Sequence, residues 1–137
     1  IVANVWSVTS FNELRKNGLD TARWNLLNPS LPKKQTFVEK QLAERKGPCI
    51  AATDYMKTYA DQIREFVPQK YYTLGTDGYG RSDSRHKLRE HFEVNSNFIV
   101  FTTIKALYDS GEISIDLVNE VMERFSISND KKNPNYS

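Results

Sequence analysis

The sequence predicts an α/β domain built on parallel strands. Two short runs, CIAAT at 49–53 and YYTL at 71–74, are rich in residues that favour β-strands. Between them, apolar residues recur at three- and four-residue intervals from Met56 to Val67, as on one face of a helix that Pro68 ends. A strand, a helix and a second strand form a βαβ unit, whose strands are almost always parallel. We expect a mostly parallel sheet with helices on both faces.

The size and composition of the chain fit one globular domain. It has 137 residues, of which 39% are hydrophobic and 26% are charged. From residue 128 onward the sequence is polar and carries no apolar periodicity. We therefore expect a domain over residues 1–127 and a loosely held C-terminal tail over residues 128–137.

The charge and cysteine content exclude several classes of protein. Nineteen Lys and Arg oppose seventeen Asp and Glu, and the net charge of +2 is spread along the chain. This balance disfavours binding to nucleic acid or to a membrane surface. The longest apolar runs have four residues, whereas a membrane-spanning helix needs about 20. The single cysteine, Cys49, cannot form an internal disulfide, so we expect a soluble protein of a reducing, cytoplasmic compartment.

The N-terminal third predicts one strand and two helices. Residues 2–8 are rich in valine and tryptophan and predict the first strand. A capping box that starts at Ser10 begins a helix, which we expect Gly18 to end in the left-handed conformation. Asp20 is then expected to cap a second helix, and Pro29 prevents that helix from continuing.

A second capping box and two further strands follow. Thr36 and Glu39 predict a helix that runs to about Arg45. We expect three of its apolar side chains to face the core: Phe37, Val38 and Leu42. The strand at 49–53 is expected to be buried on both faces, and a third strand follows at 70–74.

The sequence of the C-terminal half predicts a glycine-rich turn at 75–85, followed by three helices. Their expected ranges are about 84–93, 96–110 and 115–126. The second of them is apolar around most of its circumference, so we expect it to be buried. Ser114 is expected to cap the third helix with its side chain.

Nothing in the residue spacing predicts a catalytic or metal site. His86 and His91 are five residues apart, roughly 140° around a helix, so they do not share a face. Zinc needs at least three protein ligands, and no third ligand stands at a suitable spacing. Ser82 lacks the G-x-S-x-G motif of a nucleophilic serine, and Cys49 falls within a predicted strand as a packing residue. We expect no catalytic, cofactor-binding or metal-binding residue in this chain.

The loop at 75–85 is the most informative local feature. A loop at the carboxyl end of a parallel strand that leads into a helix can hold a phosphate or a carboxylate. The candidate residues for an anion-binding or domain-contact loop are Gly78, Gly80, Arg81, Ser82 and Arg85. Alternatively, the arginines pair with nearby carboxylates such as Asp77 or Asp83 and orient the loop. Glycine spacing alone favours this second interpretation.

Several longer stretches resemble one enzyme family. They are VWSVTSFNELRKNG, RWN at 23–25, AATDYMK, YYTLGTDGYGRSDSR and LREHFEV. In the same order and at similar spacing, they resemble the C-terminal part of the homodimeric bacterial pyruvate dehydrogenases. The TDGYGRSDSR stretch is highly specific for this family. Its third domain is similar to the C-terminal domain of transketolases.

The resemblance implies an activity for a longer parent protein. Members of the family are oxidoreductases that decarboxylate pyruvate on thiamine diphosphate with Mg²⁺. They then reductively acetylate lipoyl groups on a dihydrolipoyl acetyltransferase core. The resemblance implies that the third domain supports the dimer and the rim of the active-site region. The family's cofactor-binding and catalytic motifs have no counterpart in this chain, so no catalytic residue is carried over, and we expect the chain alone to be inactive.

The resemblance also implies that the chain lacks one strand and one helix of the family domain. We therefore expect an N-terminally truncated transketolase C-terminal-like domain that self-associates or is only marginally stable. Its expected partners are the rest of the parent chain, a second subunit and the acetyltransferase core. Two alternatives remain open: an independent module that binds an anionic ligand at 75–85, and an interaction domain without a ligand.

Overall fold

A computed structural model describes residues 1–137 and contains six α-helices and two strands. In chain order they are α1 (Phe11–Leu27), α2 (Phe37–Leu42), β1 (Cys49–Ala52), α3 (Lys57–Asp61), β2 (Tyr71–Leu74), α4 (Arg85–His91), α5 (Ser96–Asp109) and α6 (Ile115–Arg124). Short 3₁₀ turns lie at Arg64–Phe66 and Pro134–Tyr136. None of the helices combines the length and apolar character that crossing a membrane requires.

The chain divides into two compact units. The first unit contains Ile1–Arg45 and Gln62–Pro68, and the second contains Lys46–Asp61 and Gln69–Ser137. Both strands and four of the six α-helices belong to the second unit. The predicted division into a domain over 1–127 and a tail over 128–137 stays a prediction.

The two strands confirm the predicted parallel arrangement. Cys49 is paired with Tyr71 and Ala52 with Leu74, in parallel register. The Cys49 N–H donates to the Lys70 carbonyl at 2.8 Å, and the N–H of Thr53 donates to the Leu74 carbonyl at 3.0 Å. In the second unit α3 packs against β2 and α5 packs against β1. The α/β class is therefore confirmed.

The predicted first strand does not form. Residues 1–8 have no regular secondary structure, and the side chains of Val2 and Val5 are 97% and 91% exposed. Strand propensity alone does not create a strand, because its backbone groups need a partner strand to bond. The predicted burial of β1 on both faces is also wrong, since Ala52 is exposed and the other three residues are only half-buried. A two-stranded sheet is too small to enclose either strand.

A single helix, α1, replaces the two predicted between residues 10 and 28. Its N-terminal cap is confirmed, because the Ser10 hydroxyl accepts a hydrogen bond from the Glu13 N–H at 3.2 Å. The prediction that Gly18 ends a helix is wrong. Gly18 lies buried inside α1, where a Cβ atom would overlap the Phe66 ring, so the glycine permits close packing within the first unit. The helix continues through Asp20, which therefore caps nothing.

The α2 capping box is confirmed in both directions. The Thr36 hydroxyl accepts from the Glu39 N–H at 3.1 Å, and the Glu39 carboxylate accepts from the Thr36 N–H at 3.2 Å. Val38 is buried as expected, but Phe37 is 51% exposed. Adjacent helical residues point about 100° apart, and a helix that ends at Leu42 buries only a narrow stripe. The inward orientation predicted for Phe37 is therefore wrong.

The three C-terminal helices lie within their predicted ranges. The Asn95 side chain caps α5 by accepting from the Phe98 N–H at 3.0 Å. Only Ile104 and Ala106 of α5 are buried, and Val100 is exposed, contrary to the expected burial all round. The main elements packed against α5 are β1 and α6, and most of its side chains stay partly accessible to solvent.

The last helix and the C-terminal segment both differ from expectation. Ser114 stands at the N-cap of α6 but its side chain makes no capping hydrogen bond. The predicted loose tail is held in place instead. Lys131 Nζ donates to the His91 carbonyl at 3.0 Å and to the Glu93 carboxylate at 3.1 Å, and Pro134 is buried. A cation at the carbonyl end of a helix is favoured by the helix dipole.

The position of Gly18 generates a first prediction. Gly18→Ala should destabilise the chain by about 1–3 kcal/mol, because the added methyl group forces the Phe66 ring or the helix to shift. Helix propensity alone predicts the opposite sign, about 1 kcal/mol of stabilisation. Urea denaturation followed by circular dichroism measures the difference. Gly80→Ala is the matched control, since no atom lies within 4 Å of a Cβ at Gly80.

The unpaired segment at residues 1–8 generates a second prediction. Each strand of the two-stranded sheet has one edge without a partner strand. The large apolar side chains of residues 1–8 are exposed to solvent. We expect the chain to self-associate, with the exposed apolar segment and β1 as the participants. Light scattering and thermal melts over a concentration series should show association that Val2→Ser/Val5→Ser/Trp6→Ser weakens. A monomer whose melting temperature is independent of concentration would contradict this expectation.

Candidate functional site

The candidate loop at 75–85 begins where β2 ends and is bonded to the segment that follows β1. The Thr76 N–H donates to the Tyr55 carbonyl at 2.8 Å, and the Thr76 hydroxyl donates to the Asp54 carbonyl at 2.9 Å. The Lys57 N–H donates to the Asp77 carboxylate at 2.7 Å. Parallel strands end at the same edge of a sheet, so the two segments meet there. Together these bonds fix the start of the loop.

Two glycines are required where the loop touches other backbone. A Cβ atom at Gly75 would lie 2.6 Å from the Lys57 nitrogen. Gly78 has φ +128°, which disfavours other residues, and a Cβ there would overlap the Pro134 carbonyl oxygen. Gly80 meets neither condition, because the space around it is open. Of the two glycines predicted for the site, Gly78 is therefore a structural requirement and Gly80 is not.

The two arginines of α4 pair with Asp54. Arg89 Nη2 lies 3.1 Å from Asp54 Oδ2, and Arg85 Nη2 lies 4.0 Å from the same oxygen. Asp54 belongs to the segment after β1. The sequence pattern singled out Arg85 but missed Arg89 and Asp54. The four-residue spacing of the arginines, which places both on one face of a helix, was the available signal.

The carboxylates expected to pair with the arginines have other partners. Asp77 accepts the Lys57 N–H, and Asp83 accepts the Ser84 N–H at 2.8 Å. Both are local hydrogen bonds to backbone, which short acidic side chains form readily in turns. The predicted pairing of the arginines with Asp77 or Asp83 is therefore wrong, although pairing with a nearby carboxylate is correct for Arg85.

Arg81 reaches the last residue of α4. Its Nη1 donates to His91 Nδ1 at 2.9 Å, which requires an unprotonated nitrogen on the imidazole. Burial lowers the pKa of His91, and the positive charges of Arg81 and Lys131 lower it further, while Glu93 acts in the opposite direction. The neutral imidazole is therefore the favoured form in the folded chain.

An open groove in the second unit, with a volume of about 360 Å³, is lined in part by Asp54 and the three arginines. The lining includes Gly78, Gly80, Arg81 and Arg85, which are four of the five predicted residues. The fifth, Ser82, is exposed and is not part of the lining. Asp54, Arg89 and the apolar side chains of Leu88 and Phe92 complete the site, together with Thr76.

The groups outside the groove offer little catalytic chemistry. Cys49 is half-buried, and burial raises the pKa of its thiol, so the unreactive protonated form dominates near neutral pH. No group of three or more His, Cys, Asp or Glu side chains is arranged to hold a metal ion. Within the groove, the guanidinium groups are hydrogen-bond donors whose geometry matches a carboxylate or a phosphate.

The contact between Arg81 and His91 generates a third prediction. His91 should titrate below the ordinary histidine pKa of 6.5, and Arg81→Gln should raise its pKa toward that value. Because the folded-state pKa is lowered, the contribution of His91 to stability is complete above about pH 6.5 and is lost as the pH falls through the folded pKa. Histidine ring NMR during a pH titration measures both effects.

Arg124→Gln is the control for that titration. It removes one positive charge, as Arg81→Gln does, but from a different element, helix α6. A His91 pKa at or above 6.5 in the unmodified chain would contradict the prediction, and so would equal responses to the two substitutions.

Comparison with known proteins reveals close bacterial relatives, each described as a pyruvate dehydrogenase E1 component. The Pseudomonas aeruginosa protein is 53% identical over 135 residues, which are 98% of this chain and 15% of the relative. The protein from Buchnera aphidicola subsp. Acyrthosiphon pisum is 46% identical over 138 residues, which cover 100% of this chain and 15% of the relative. The Escherichia coli K12 protein is 43% identical over 133 residues, which cover 96% of this chain and 15% of the relative.

These similarities confirm the resemblance seen in the sequence motifs. The chain spans about 15% of the length of these relatives. The profile of the transketolase-like TK C-terminal domain matches residues 1–95, which include α1, α2, the parallel sheet and the loop at 75–85. The chain therefore belongs to the transketolase-like C-terminal domain family.

Proposed function

We propose that this chain is the C-terminal part of a pyruvate dehydrogenase E1 component, and that its role there is structural and dimer-supporting. The identity of 43–53% to three such proteins over nearly the whole chain supports the first half of the proposal. In this proposal the parent enzyme decarboxylates pyruvate and acetylates lipoyl groups. The chain contacts the rest of the parent and a second subunit. The whole E1 component works in the cytoplasm with a dihydrolipoyl acetyltransferase core.

An exposed apolar surface on the first unit is the observation that carries the structural role. Leu26, Leu27, Leu31 and Phe37 are each more than half exposed, and all lie within residues 26–37. The connector between α1 and α2 is held by two hydrogen bonds between Asn25 and Lys34, at 2.8 and 3.0 Å. Several exposed apolar side chains within one ordered segment favour contact with other protein. We call residues 26–37 the apolar surface.

The chain's own residues do not fit thiamine diphosphate. The family uses this cofactor with Mg²⁺, which prefers carboxylate and other oxygen ligands, usually beside the bound phosphates. The structure contains no cluster of acidic, histidine or cysteine side chains suited to a metal ion. We therefore propose that other parts of the parent enzyme hold the cofactor, and that this chain alone neither binds it nor releases CO₂ from pyruvate.

A second candidate function is the binding of an anionic ligand at the loop of residues 75–85. Three arginines and one aspartate in the lining of the groove favour it, because their charges sum to +2. An independent module of this kind would need no parent chain. The experiment below therefore separates the two candidates.

The fourth prediction tests the apolar surface by reconstitution. The Pseudomonas aeruginosa relative, shortened by the region that matches this chain, should be inactive by itself, and adding this chain should restore the dimer and CO₂ release from pyruvate. Leu26→Asp/Leu27→Asp/Phe37→Asp should abolish that rescue, since charge on a buried contact is unfavourable. Analytical ultracentrifugation measures the dimer, and a CO₂ assay measures the activity.

The matched control adds the same charge at polar positions of the same unit. Thr9→Asp/Asn12→Asp/Gln41→Asp changes three exposed residues outside the apolar surface and should leave the rescue intact. Failure of the unmodified chain to restore the dimer would contradict the proposal. So would CO₂ release by this chain alone with thiamine diphosphate and Mg²⁺.

A further inference from the structure

We propose that the groove containing Arg81, Arg85 and Arg89, here called the arginine groove, binds the side-chain carboxylates of an acidic protein segment. All of its lining residues belong to the second unit. The inference therefore does not depend on the apolar surface of the first unit, or on the role proposed for it.

The charge of the arginine groove is the first argument. Arg81, Arg85 and Arg89 contribute three guanidinium groups, and Asp54 is the one carboxylate in the lining. The partner of Arg81 is the neutral His91 imidazole, so this contact leaves the arginine charge uncompensated. Guanidinium groups present paired N–H donors whose geometry matches a carboxylate. The groove therefore has unused capacity for carboxylates.

Asp54 shows how a carboxylate fits between two of the arginines. Its Oδ2 atom lies 3.1 Å from Arg89 Nη2 and 4.0 Å from Arg85 Nη2. The Asp54 side chain is 61% exposed, so solvent screens this ion pair. Exposed ion pairs add little to stability, so an incoming carboxylate can replace Asp54 at small cost. Asp54 acts in this proposal as an internal competitor for the ligand.

The shape and lining of the groove favour a protein segment over a small free anion. The groove is open to solvent, and the apolar side chains of Leu88 and Phe92 lie beside the guanidinium groups. A free phosphate is held best by an enclosed set of backbone N–H donors at the start of a helix. At α4 the side chain of Ser84 already accepts the Lys87 N–H. Mixed charged and apolar lining suits a segment that carries both acidic and apolar side chains.

The groove is held in shape before any ligand arrives. The loop is tied to the segment after β1 through Thr76 and Asp77, and Gly78 lies directly against Pro134. Arg85 and Arg89 stand one turn apart on α4, so their spacing is set by the helix. A site arranged in advance loses less conformational entropy on binding.

The test uses a short peptide of defined composition. The probe is acetyl-Glu-Leu-Glu-Leu-Glu-amide, and the control peptide replaces each Glu with Gln. Titration followed by NMR of the arginine side-chain N–H groups should show saturable shifts at Arg85 and Arg89 with the probe and none with the control. Arg85→Gln/Arg89→Gln should weaken binding by about tenfold or more, because two charge-assisted contacts are lost.

Two further variants sharpen the test. Lys87→Gln/Lys132→Gln removes the same charge from exposed lysines outside the lining, and should change the affinity by less than about twofold. Asp54→Asn removes the internal competitor, and should raise the affinity severalfold. Thermal melts followed by circular dichroism establish that each variant is folded.

Several results would overturn the proposal. They are the absence of saturable binding to the unmodified chain, equal weakening by the arginine and lysine variants, and weaker binding to the Asp54→Asn variant. Inorganic phosphate that displaces the peptide and binds more tightly at the same arginines would identify a small-anion site instead. Probe-induced shifts at the apolar surface rather than in the groove would point to a different interface.

Discussion

The parallel pairing of β1 with β2 is the constraint on which the second unit depends. Its register brings the segments after both strands to one edge of the sheet, where Thr76, Asp77 and Lys57 join them by hydrogen bonds. Asp54 follows β1, and the arginines follow β2. Their contact therefore exists only because the two strands run in the same direction. An antiparallel pair would place the two segments at opposite edges.

Close backbone contacts at glycines then set the shape of each unit. Gly18 lets the Phe66 ring lie against α1, and Gly78 lets the loop lie against the C-terminal segment. In the second unit Lys131 reinforces this arrangement, because it binds the end of α4 and Glu93 at once. The C-terminal residues thus pack against the loop and against the end of α4. Each unit presents a surface of different chemistry, one apolar and one basic, and both are suited to contact with other protein.

Much of the fold followed from local patterns in the sequence. The caps at Ser10 and Thr36 form hydrogen bonds to residues three positions away, so they need no distant partner. The ranges of the last three helices were predictable because helical hydrogen bonds are also local. The strands at 49–52 and 71–74 formed as predicted because each is the hydrogen-bonding partner of the other. The strand predicted at 2–8 does not form, because a strand needs a partner strand and the sheet contains only β1 and β2. The apolar pattern of α5 likewise predicted more burial than the structure shows. Such a pattern indicates which helix face is apolar, but not which other element packs against that face.

The sequence by itself determined the helix caps at Ser10 and Thr36, the parallel pairing of the two strands, the family resemblance and four of the residues that line the candidate groove. Only the tertiary structure decided that Gly18 lies inside a helix, that Arg81 meets His91 and that Asp54 is the partner of Arg89. The physical reason is the distance along the chain. Caps and turns join residues a few positions apart, whereas Arg89 and Asp54 are separated by 35 positions. Such a contact is set by strand register and packing, which no local pattern of residues encodes.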